Sequence, residues 1–202
     1  RLDHAVTVFD VSKLPQRGEK HDNLRAALLA ILVGNINQSI RRKRRVENDW
    51  TPMLLLVDEM GILMRDAVIA SHISAEFKTA RARHVGVVLI DQDLHSALGP
   101  ADETGLHHGV PMLANRANTF IFNQLSSEFT RIREQFPTLP EAIVQTLPNL
   151  GQGSCVAEIG KDLLFLDVIA SPLEQIALSS KATDRDRMRR LIEQLIAEHR
   201  TL

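Results

Sequence analysis

The fold is decided by the stretch "MLLLVDEMGIL", which runs from Met53 to Leu63. Five apolar residues lead directly into two adjacent carboxylates, Asp58 and Glu59. A strand that is apolar on both faces is typical of the centre of a parallel sheet that is covered on both sides. Ligands of open α/β sheets bind outside the carboxyl ends of such strands. The stretch therefore predicts an α/β domain with a functional site beside Asp58 and Glu59.

The composition limits the classes of protein to consider. The 202 residues suffice for one medium domain with a sizeable core, and 44% of them are hydrophobic. Lys and Arg number 24, Asp and Glu 25, so the net charge is -1 and only a local patch can attract nucleic acid. The lone Cys155 fits a reducing compartment and is expected to be a small buried hydrophobe. The longest apolar run, Ala26–Val33, is far shorter than the ~20 residues that cross a bilayer.

Strand-like and helix-like segments alternate along the chain, which is typical of an α/β fold with a mostly parallel sheet flanked by helices. β-Branched and aromatic runs predict strands over Ala5–Val11, Pro52–Glu59, Val85–Gln92 and Ala117–Gln124. Apolar residues at helical spacing predict helices over residues 22–45, Ala67–Ala80, from about Ser126, Pro140–Leu147 and from about Asp184 to His199.

The C-terminal part of the chain predicts a β-hairpin and helices. The stretch "GSCVAEIGKDLLFLDVIA" predicts two strands around a tight turn at Gly160 and Lys161. Ser171, Pro172 and Glu174 form a capping-box pattern, so a helix is expected to start there. The apolar stripes of the first and last helices are predicted to face inward through Leu24, Leu28, Ile31, Leu32, Ile36 and Ile40, and through Met188, Leu191, Ile192 and Leu195.

Gln92 follows the third predicted strand, so it is expected to meet Asp58 and Glu59 at one edge of the sheet. A nucleotide-hydrolysing site needs this set of groups. Asp58 can hold Mg²⁺ through its water shell, Glu59 can orient or deprotonate a water, and Gln92 can hydrogen-bond a phosphate without adding charge. The alternative is that the two acids only cap the next helix or face solvent, because short motifs often match by chance.

Three further groups of residues are candidates for function. Arg81 and Arg83 precede the third strand, and Gln92 lies ~20 Å away at its other end. The two arginines can therefore reach only the nucleotide of a neighbouring subunit. The alternative is that they are solvated cations at the end of a helix. A basic run can contact DNA phosphates, or it is again a solvated helix end. That run is Arg41, Arg42, Lys43, Arg44 and Arg45. One loop contains His95, His107 and His108. Their spacing is not that of a zinc site.

Six motifs occur in a fixed order that resembles one family. They are "VTVFDVSKL", "LLLVDEMGILM", "FKTARARHVGVVLIDQDL", "NRANTFIFNQ", "LPNLGQGSCVAEIGKD" and "SPLEQIAL". From about Ala5 to the last helix, the chain resembles the C-terminal motor domain of type IV secretion and conjugation ATPases. These are the TraC-like and "VirB-four"-like members of the HerA/FtsK branch of P-loop ATPases. The resemblance implies a RecA-like core, a Walker B pair at Asp58 and Glu59, a catalytic Gln92, and an arginine, Arg81 or Arg83, that acts across subunits.

The same resemblance implies a biological setting. ATP and Mg²⁺ are the expected cofactors, and the expected assembly is a homo-oligomer, typically a hexamer. Its partners are other secretion-channel components and, with the basic run, DNA. Its expected place is the cytoplasmic face of the inner membrane, where it powers transport of DNA or protein or assembly of a pilus. Asp91 departs from the family pattern, because a small residue or Thr is usual before the glutamine, and its charge is expected to lie near the phosphate.

The phosphate-binding motif G-x-x-x-x-G-K-[ST] does not occur in the sequence, and "GQGSCVAEIGKD" has the wrong spacing. In the family that the chain resembles, this motif precedes the strand at "VFD". The resemblance therefore implies that residues 1–202 are one domain, the C-terminal portion of a motor domain, inactive by itself. Two alternatives are a HerA/FtsK-type DNA translocase outside secretion and a non-catalytic α/β interaction module.

Overall fold

The computed structural model describes residues 6–11, 14, 22–101, 103–172, 174–175 and 181–199 (the backbone alone at 22–23, 182 and 194–199). Its strands are β1 (Met53–Val57), β2 (Val85–Leu89), β3 (Asn118–Ile121), β4 (Ser154–Ile159) and β5 (Asp162–Asp167). Its α-helices are α1 (Asp22–Arg45), α2 (Gly61–Met64), α3 (Ala67–Ala80), α4 (Leu94–Leu98), α5 (Val110–Ala114), α6 (Phe129–Gln135), α7 (Glu141–Thr146) and α8 (Ala182–His199). Single 3-10 turns cover Arg81–Arg83, Ser126–Glu128 and Leu147–Asn149.

The strands β1 and β2 are parallel neighbours, joined by the helices α2 and α3 as a crossover. The helix α3 has the predicted bounds, and it begins where Asp66 accepts hydrogen bonds from the backbone N–H groups of Val68 and Ile69 at 2.9 and 3.1 Å. The predicted α/β fold with parallel strands is therefore confirmed for this segment.

The strands β3, β4 and β5 form a second sheet that is entirely antiparallel. The sequence placed β3 in the parallel sheet, so the expectation of a mostly parallel sheet is met only by β1 and β2. The sequence of β3 specifies a strand but not the strand with which it pairs. In the structure β3 pairs antiparallel with β4 of the β4–β5 hairpin. The hairpin turns at Gly160 and Lys161 as predicted.

The first predicted strand, Ala5–Val11, does not form in the residues that the structure describes. Ala5 lies outside them, and residues 6–11 form no strand although Val6 and Val8 have high strand propensity. The side chains of Val6 and Val8 are 78% and 82% exposed. Strand propensity reflects packing on a half-buried sheet surface, so residues with no neighbouring strand do not realise it.

The long helix α1 has the predicted bounds and buries its predicted stripe only toward its C-terminal end, where Ile40 is buried. Toward the N-terminal end Leu29 is buried instead, and three residues of the predicted stripe are exposed, namely Leu24, Leu28 and Ile31. Residues 26–33 are apolar on several sides of the helix, so periodicity alone does not say which side packs. The packing against α3 selects the side that carries Leu29 and Ile40.

The C-terminal helices agree with the sequence in part. The capping box forms, because the N–H of Ser171 donates to Glu174 Oε2 at 2.8 Å and the N–H of Glu174 donates to Ser171 Oγ at 3.3 Å. The helix α8 begins two residues before the predicted start. Ile192, expected to face inward, is 49% exposed, and the side chain of Leu195 lies outside the described residues.

One face of the parallel pair is covered and the other is not. The helices α2, α3, α4 and α5 cover one face with a cluster of buried residues, among them Met60, Met64, Ala70, Ala97 and Met112. The opposite face presents large apolar side chains to solvent, which are Leu54 (70% exposed), Leu56 (57%), Val88 (40%) and Ile90 (43%). The expectation of a sheet covered on both sides is therefore not met.

Among the helices described here, none is both long and apolar enough to cross a membrane.

Candidate functional site

The predicted site residues Asp58, Glu59 and Gln92 follow the two parallel strands at the same end. Val57 lies opposite Leu89 in the parallel register, so the residues that follow both strands leave the sheet at one edge. The side chains of Asp58, Glu59 and Gln92 are all exposed there. The structure thus brings these residues to one edge, as their positions after parallel strands predicted.

Backbone hydrogen bonds continue to join the two chain segments beyond the last paired residues. The N–H of Ile90 donates to the carbonyl of Val57 at 2.9 Å, and the N–H of Met60 donates to the carbonyl of Ile90 at 2.9 Å. Glu59 lies between these two bonds and has a φ of 55°, in the left-handed region. A non-glycine residue there costs of order 1–3 kcal/mol and persists only where its surroundings hold it.

The carboxylate of Asp91 joins the two segments a second time. Its Oδ2 accepts the N–H of Gly61 at 2.6 Å, and its Oδ1 accepts the N–H of Gln92 at 2.8 Å. Burial raises the pKa of Asp91; the two backbone N–H groups oppose this rise, and the charges of Asp93 and Glu59 add to it. The carboxylate is thus bound within the protein, and the expectation that its charge lies near a phosphate stays a prediction.

Gly61 is the residue that allows this close approach. A Cβ at Gly61 would lie 2.7 Å from the Cβ of Ser96 and 3.0 Å from Asp91 Oδ2. Ser96 is itself fixed, because Asp93 accepts its backbone N–H at 2.7 Å as the N-cap of α4. The loops after β1 and β2 therefore pack against each other through one glycine. No sequence signal distinguishes Asp91 from an ordinary loop acid.

The two arginines of interest lie at the opposite end of β2, as predicted, but differ in their contacts. Arg83 pairs with Glu76, which also binds Arg41 at 2.5 Å. Burial raises the pKa of Glu76, but hydrogen bonds from Arg83 and Arg41 outweigh it and the net pKa is lowered. Arg81 is exposed, and no described acidic side chain pairs with it.

Arg44 of the basic run is a buried structural residue. Its Nε donates to the carbonyl of Arg83 at 2.8 Å, its Nη2 to the carbonyl of Thr51 at 2.8 Å, and its Nη1 to the carbonyl of Asp49. The guanidinium also lies 5.9 Å from the ring centre of Trp50. Arg44 therefore joins the end of α1 to the starts of β1 and β2 and is not free to bind DNA.

Three other members of the basic run form ion pairs within the chain, and Arg45 is exposed. The pairs are Arg41–Glu76 (2.5 Å), Arg42–Glu47 (3.1 Å) and Lys43–Asp49 (3.6 Å). Such pairs at a surface contribute little to stability. They do reduce the positive charge that the run offers to a phosphate backbone.

The remaining candidates from the sequence are the histidines of one loop and Cys155. In the part of the chain that the structure describes, no three His, Cys, Asp or Glu side chains are grouped for a metal ion. The ring Nδ1 of His107 lies 2.5 Å from the carbonyl oxygen of Gly99. Cys155 is buried, and burial together with the charge of Asp167 raises the pKa of its thiol. The prediction that Cys155 is a small buried residue is confirmed.

The fold and the site together define a mixed α/β domain with two acids and a glutamine at one edge of a parallel strand pair. The fold is similar to a solved structure titled "Structure of VirB4 of Thermoanaerobacter pseudethanolicus", with a TM-score of 0.62 and 21% sequence identity. The match covers 79% of this chain and 40% of that one. No protein-family model and no curated protein sequence matches the chain.

Proposed function

We propose that this chain is the C-terminal portion of a RecA-like, ATP-hydrolysing motor domain of the type IV secretion and conjugation class. The observation that carries the proposal is the placement of Asp58, Glu59 and Gln92 at the adjoining ends of two parallel strands. Ligands of such sheets bind at this edge. The similarity of the fold to that of VirB4 supports the proposal.

Each of the three residues has a role that its position suits. Asp58 holds Mg²⁺ through water, because Mg²⁺ keeps several of its waters in nucleotide sites and an exposed carboxylate can accept their hydrogen bonds. Glu59 orients or deprotonates the attacking water, and Gln92 hydrogen-bonds that water or a phosphate oxygen without adding negative charge. When bound, ATP would supply the reacting phosphoryl group, and Mg²⁺ would neutralise the charge that develops on it.

The element that grips the phosphates belongs to another part of the same polypeptide. The uncovered apolar face of β1 and β2, with Leu54, Leu56, Val88 and Ile90, supports this part of the proposal. Strands in parallel sheets are ordinarily covered on both faces. In the complete domain, the upstream part that carries the phosphate-binding loop packs on this side of the sheet.

The arginine that acts across subunits is Arg81. The ion pair of Arg83 with Glu76 commits that guanidinium to its own chain, while the exposed Arg81 is available to a neighbour. Both lie at the far end of β2 from Gln92, so a second subunit must bring its nucleotide to Arg81. A closed ring, in this class a hexamer, provides such contacts at every interface.

The cellular role follows from the class of protein and rests on the proposal as a whole. The motor uses ATP and Mg²⁺ at the cytoplasmic face of the inner membrane, where it works with other channel components. It powers the transfer of DNA or protein or the assembly of a pilus. Direct DNA contact through the basic run has less support, since Arg44 is buried and three of its neighbours are paired.

The decisive experiment measures ATP binding and hydrolysis by the longer polypeptide that contains this chain, beside the 202-residue chain alone. We expect the longer protein to hydrolyse ATP, Glu59→Gln to abolish hydrolysis while sparing binding, and Asp58→Ala to weaken Mg²⁺-dependent binding. The short chain is expected to be inactive. A longer protein that binds no Mg-ATP would favour the non-catalytic α/β interaction module instead. Hydrolysis stimulated by DNA in a protein with no role in secretion would favour a DNA translocase.

A further inference from the structure

We propose that Asp91 is a positioning residue, which holds Glu59 in its left-handed conformation and fixes the start of the loop that carries Gln92. The catalytic consequence of this inference rests on the proposed function, but the positioning does not. Glu59 has a φ of 55°, and the free-energy cost of this left-handed conformation must be outweighed by contacts with its surroundings.

Two of the hydrogen bonds around Glu59 come from the neighbouring segment, in addition to the one that its own carbonyl accepts from the N–H of Ile62 at 3.0 Å. The residue after it, Met60, donates its N–H to the carbonyl of Ile90, and the next, Gly61, donates its N–H to Asp91. Both acceptors belong to the chain that leaves β2. The turn at Glu59 is therefore fixed by the neighbouring segment, and a side chain supplies one of the two bonds.

The second oxygen of Asp91 fixes its own segment. Oδ1 accepts the N–H of Gln92 at 2.8 Å while Oδ2 accepts the N–H of Gly61 at 2.6 Å. A carboxylate offers acceptors on both oxygens, so one side chain can bind both N–H groups at once. This arrangement couples the backbone of Gln92 to the turn that presents Glu59. Neither an amide nor a hydroxyl reproduces it.

The chemistry of possible replacements makes the inference testable. Asparagine has one acceptor and one donor, so Asp91→Asn leaves one of the two N–H groups facing an NH₂ group. Alanine removes both acceptors. We therefore expect the hydrogen bonds around Glu59 to weaken in the order wild type, Asp91→Asn, Asp91→Ala, with little change in the rest of the fold.

The first experiment measures hydrogen exchange of the Met60 and Gly61 amides by NMR in the 202-residue chain. Losing a charge-assisted hydrogen bond is expected to speed exchange about tenfold at Gly61 in Asp91→Ala, and less in Asp91→Asn. The control variant is Asp66→Ala, because Asp66 also accepts two backbone N–H groups but at the start of α3. It should speed exchange at Val68 and Ile69 and leave Gly61 unchanged.

The second experiment measures steady-state ATP hydrolysis in the longer polypeptide. A positioning role predicts that Asp91→Ala lowers kcat about tenfold and changes KM for ATP less than about twofold, with Asp91→Asn in between. Asp66→Ala should leave kcat unchanged at a temperature where both variants are folded.

The outcomes separate this inference from the proposed function. Unchanged exchange at Gly61 in Asp91→Ala overturns the inference, whatever the ATPase rate. Faster exchange combined with a wild-type kcat overturns the catalytic consequence of the inference, because the turn would then not affect the chemistry. A wild-type longer protein without ATPase activity overturns the proposed function instead, and the exchange rates alone then decide whether Asp91 holds Glu59.

Discussion

The antiparallel sheet and the parallel strand pair differ in how much of their own surface they bury. The antiparallel sheet contributes Ile121 and Val156 to a buried cluster that also includes Ile132, Val144 and Leu147. In the cluster beside the parallel pair, every fully buried residue comes from a loop or helix, while Val57 and Leu89 of the strands are only partly buried. The region that carries the candidate site is thus the less complete of the two.

The proposed site and the sheet that buries more of its own residues therefore lie in different regions. The antiparallel sheet contributes strand residues to a covered core, although Phe120 (53%) and Leu164 (44%) are exposed on its other face, and no candidate catalytic residue lies on it. The parallel pair holds all the residues of the proposed site, together with an uncovered apolar face at Leu54 and Leu56. A site at the edge of a partly covered sheet can be completed by another segment or subunit. The following variants test whether the stability of the fold and the proposed site belong to different regions of the chain.

The largest expected effect concerns Arg81, at the far end of the parallel pair. Arginines that act across subunits are worth ~10³ or more in kcat. We predict that Arg81→Ala in the longer polypeptide abolishes turnover and leaves ATP affinity nearly unchanged. Arg83→Ala should instead lower stability, because it breaks the pair with Glu76. ATPase rates, nucleotide-binding titrations and thermal unfolding of both variants check this.

Mixing subunits tests whether Arg81 acts in trans. If the protein forms the proposed ring, rings that contain both Arg81→Ala and Glu59→Gln subunits would have some interfaces with an intact Glu59 facing an intact Arg81. We expect partial recovery of ATPase activity in a mixing titration, once subunit exchange has been confirmed. Absence of recovery at every ratio would show that Arg81 serves its own subunit or only the fold.

The next prediction compares apolar residues of the two regions. Leu147 is fully buried in the antiparallel region, so Leu147→Ala should lower the free energy of unfolding by about 2–5 kcal/mol. Leu54 is 70% exposed, so Leu54→Ala should change it by less than about 0.5 kcal/mol in the 202-residue chain. Urea unfolding measures both.

The same pair of variants also tests the cover proposed for the parallel pair. In the longer polypeptide, Leu54→Ala should become destabilising by about 1–3 kcal/mol if another segment packs on it. An unchanged, near-zero effect there would mean that this face stays exposed, and the proposed packing of the upstream part would be wrong.

The elements that the sequence predicted well are those set by local pattern. The strand at Met53–Val57, the helix Ala67–Ala80 and the strand at Val85–Leu89 follow from runs and periods within each segment. Parallel pairing then places Asp58 and Gln92 at one edge without further information. The partner of β3 was missed, because a strand pattern carries no information about its neighbour.

The details that decide function depend on contacts between distant segments. Asp91 is 30 residues from Gly61, and Arg83 is seven residues from Glu76 on an adjoining turn. Nothing in the composition of these segments indicates which acid turns inward or which arginine is paired. The residue that the N-terminal half of α1 buries was missed for the same reason, since Leu28 and Leu29 are equally apolar and only packing against the rest of the fold distinguishes them.

A smaller effect is expected at Arg44, which holds the parallel region to α1. Arg44→Ala leaves the partly buried carbonyls of Arg83, Asp49 and Thr51 without this donor, so we predict a loss of about 1–3 kcal/mol in the free energy of unfolding. Arg44→Lys keeps the charge but not the planar fork and should recover part of this loss. Thermal or urea unfolding that ranks Lys no better than Ala would argue that packing, and not hydrogen bonding, is the role of Arg44.

The smallest effect is a pH dependence that distinguishes a partly buried ion pair in the parallel region from an exposed one in the antiparallel region. The pKa of Glu76 is lowered because hydrogen bonds from Arg83 and Arg41 outweigh its burial. Arg133 and Gln145 hydrogen-bond the exposed Glu141 and lower its pKa to about 2. A carboxyl group with a lowered folded pKa contributes stability above its unfolded pKa, near 4.5, and loses it as the pH falls through the folded value.

Both Glu76→Gln and Glu141→Gln should therefore flatten the loss of stability as the pH falls below about 4.5. Salt separates them, because the Debye length shrinks to about 3 Å at 1 M and exposed pairs are screened far more than buried ones. In ~1 M NaCl we expect the effect of Glu141→Gln to disappear and most of the effect of Glu76→Gln to remain. Urea unfolding across this pH range at low and high salt measures both. If salt removes both effects equally, Glu76 behaves as a surface group, and Arg83 is then as free as Arg81 to reach a neighbouring subunit.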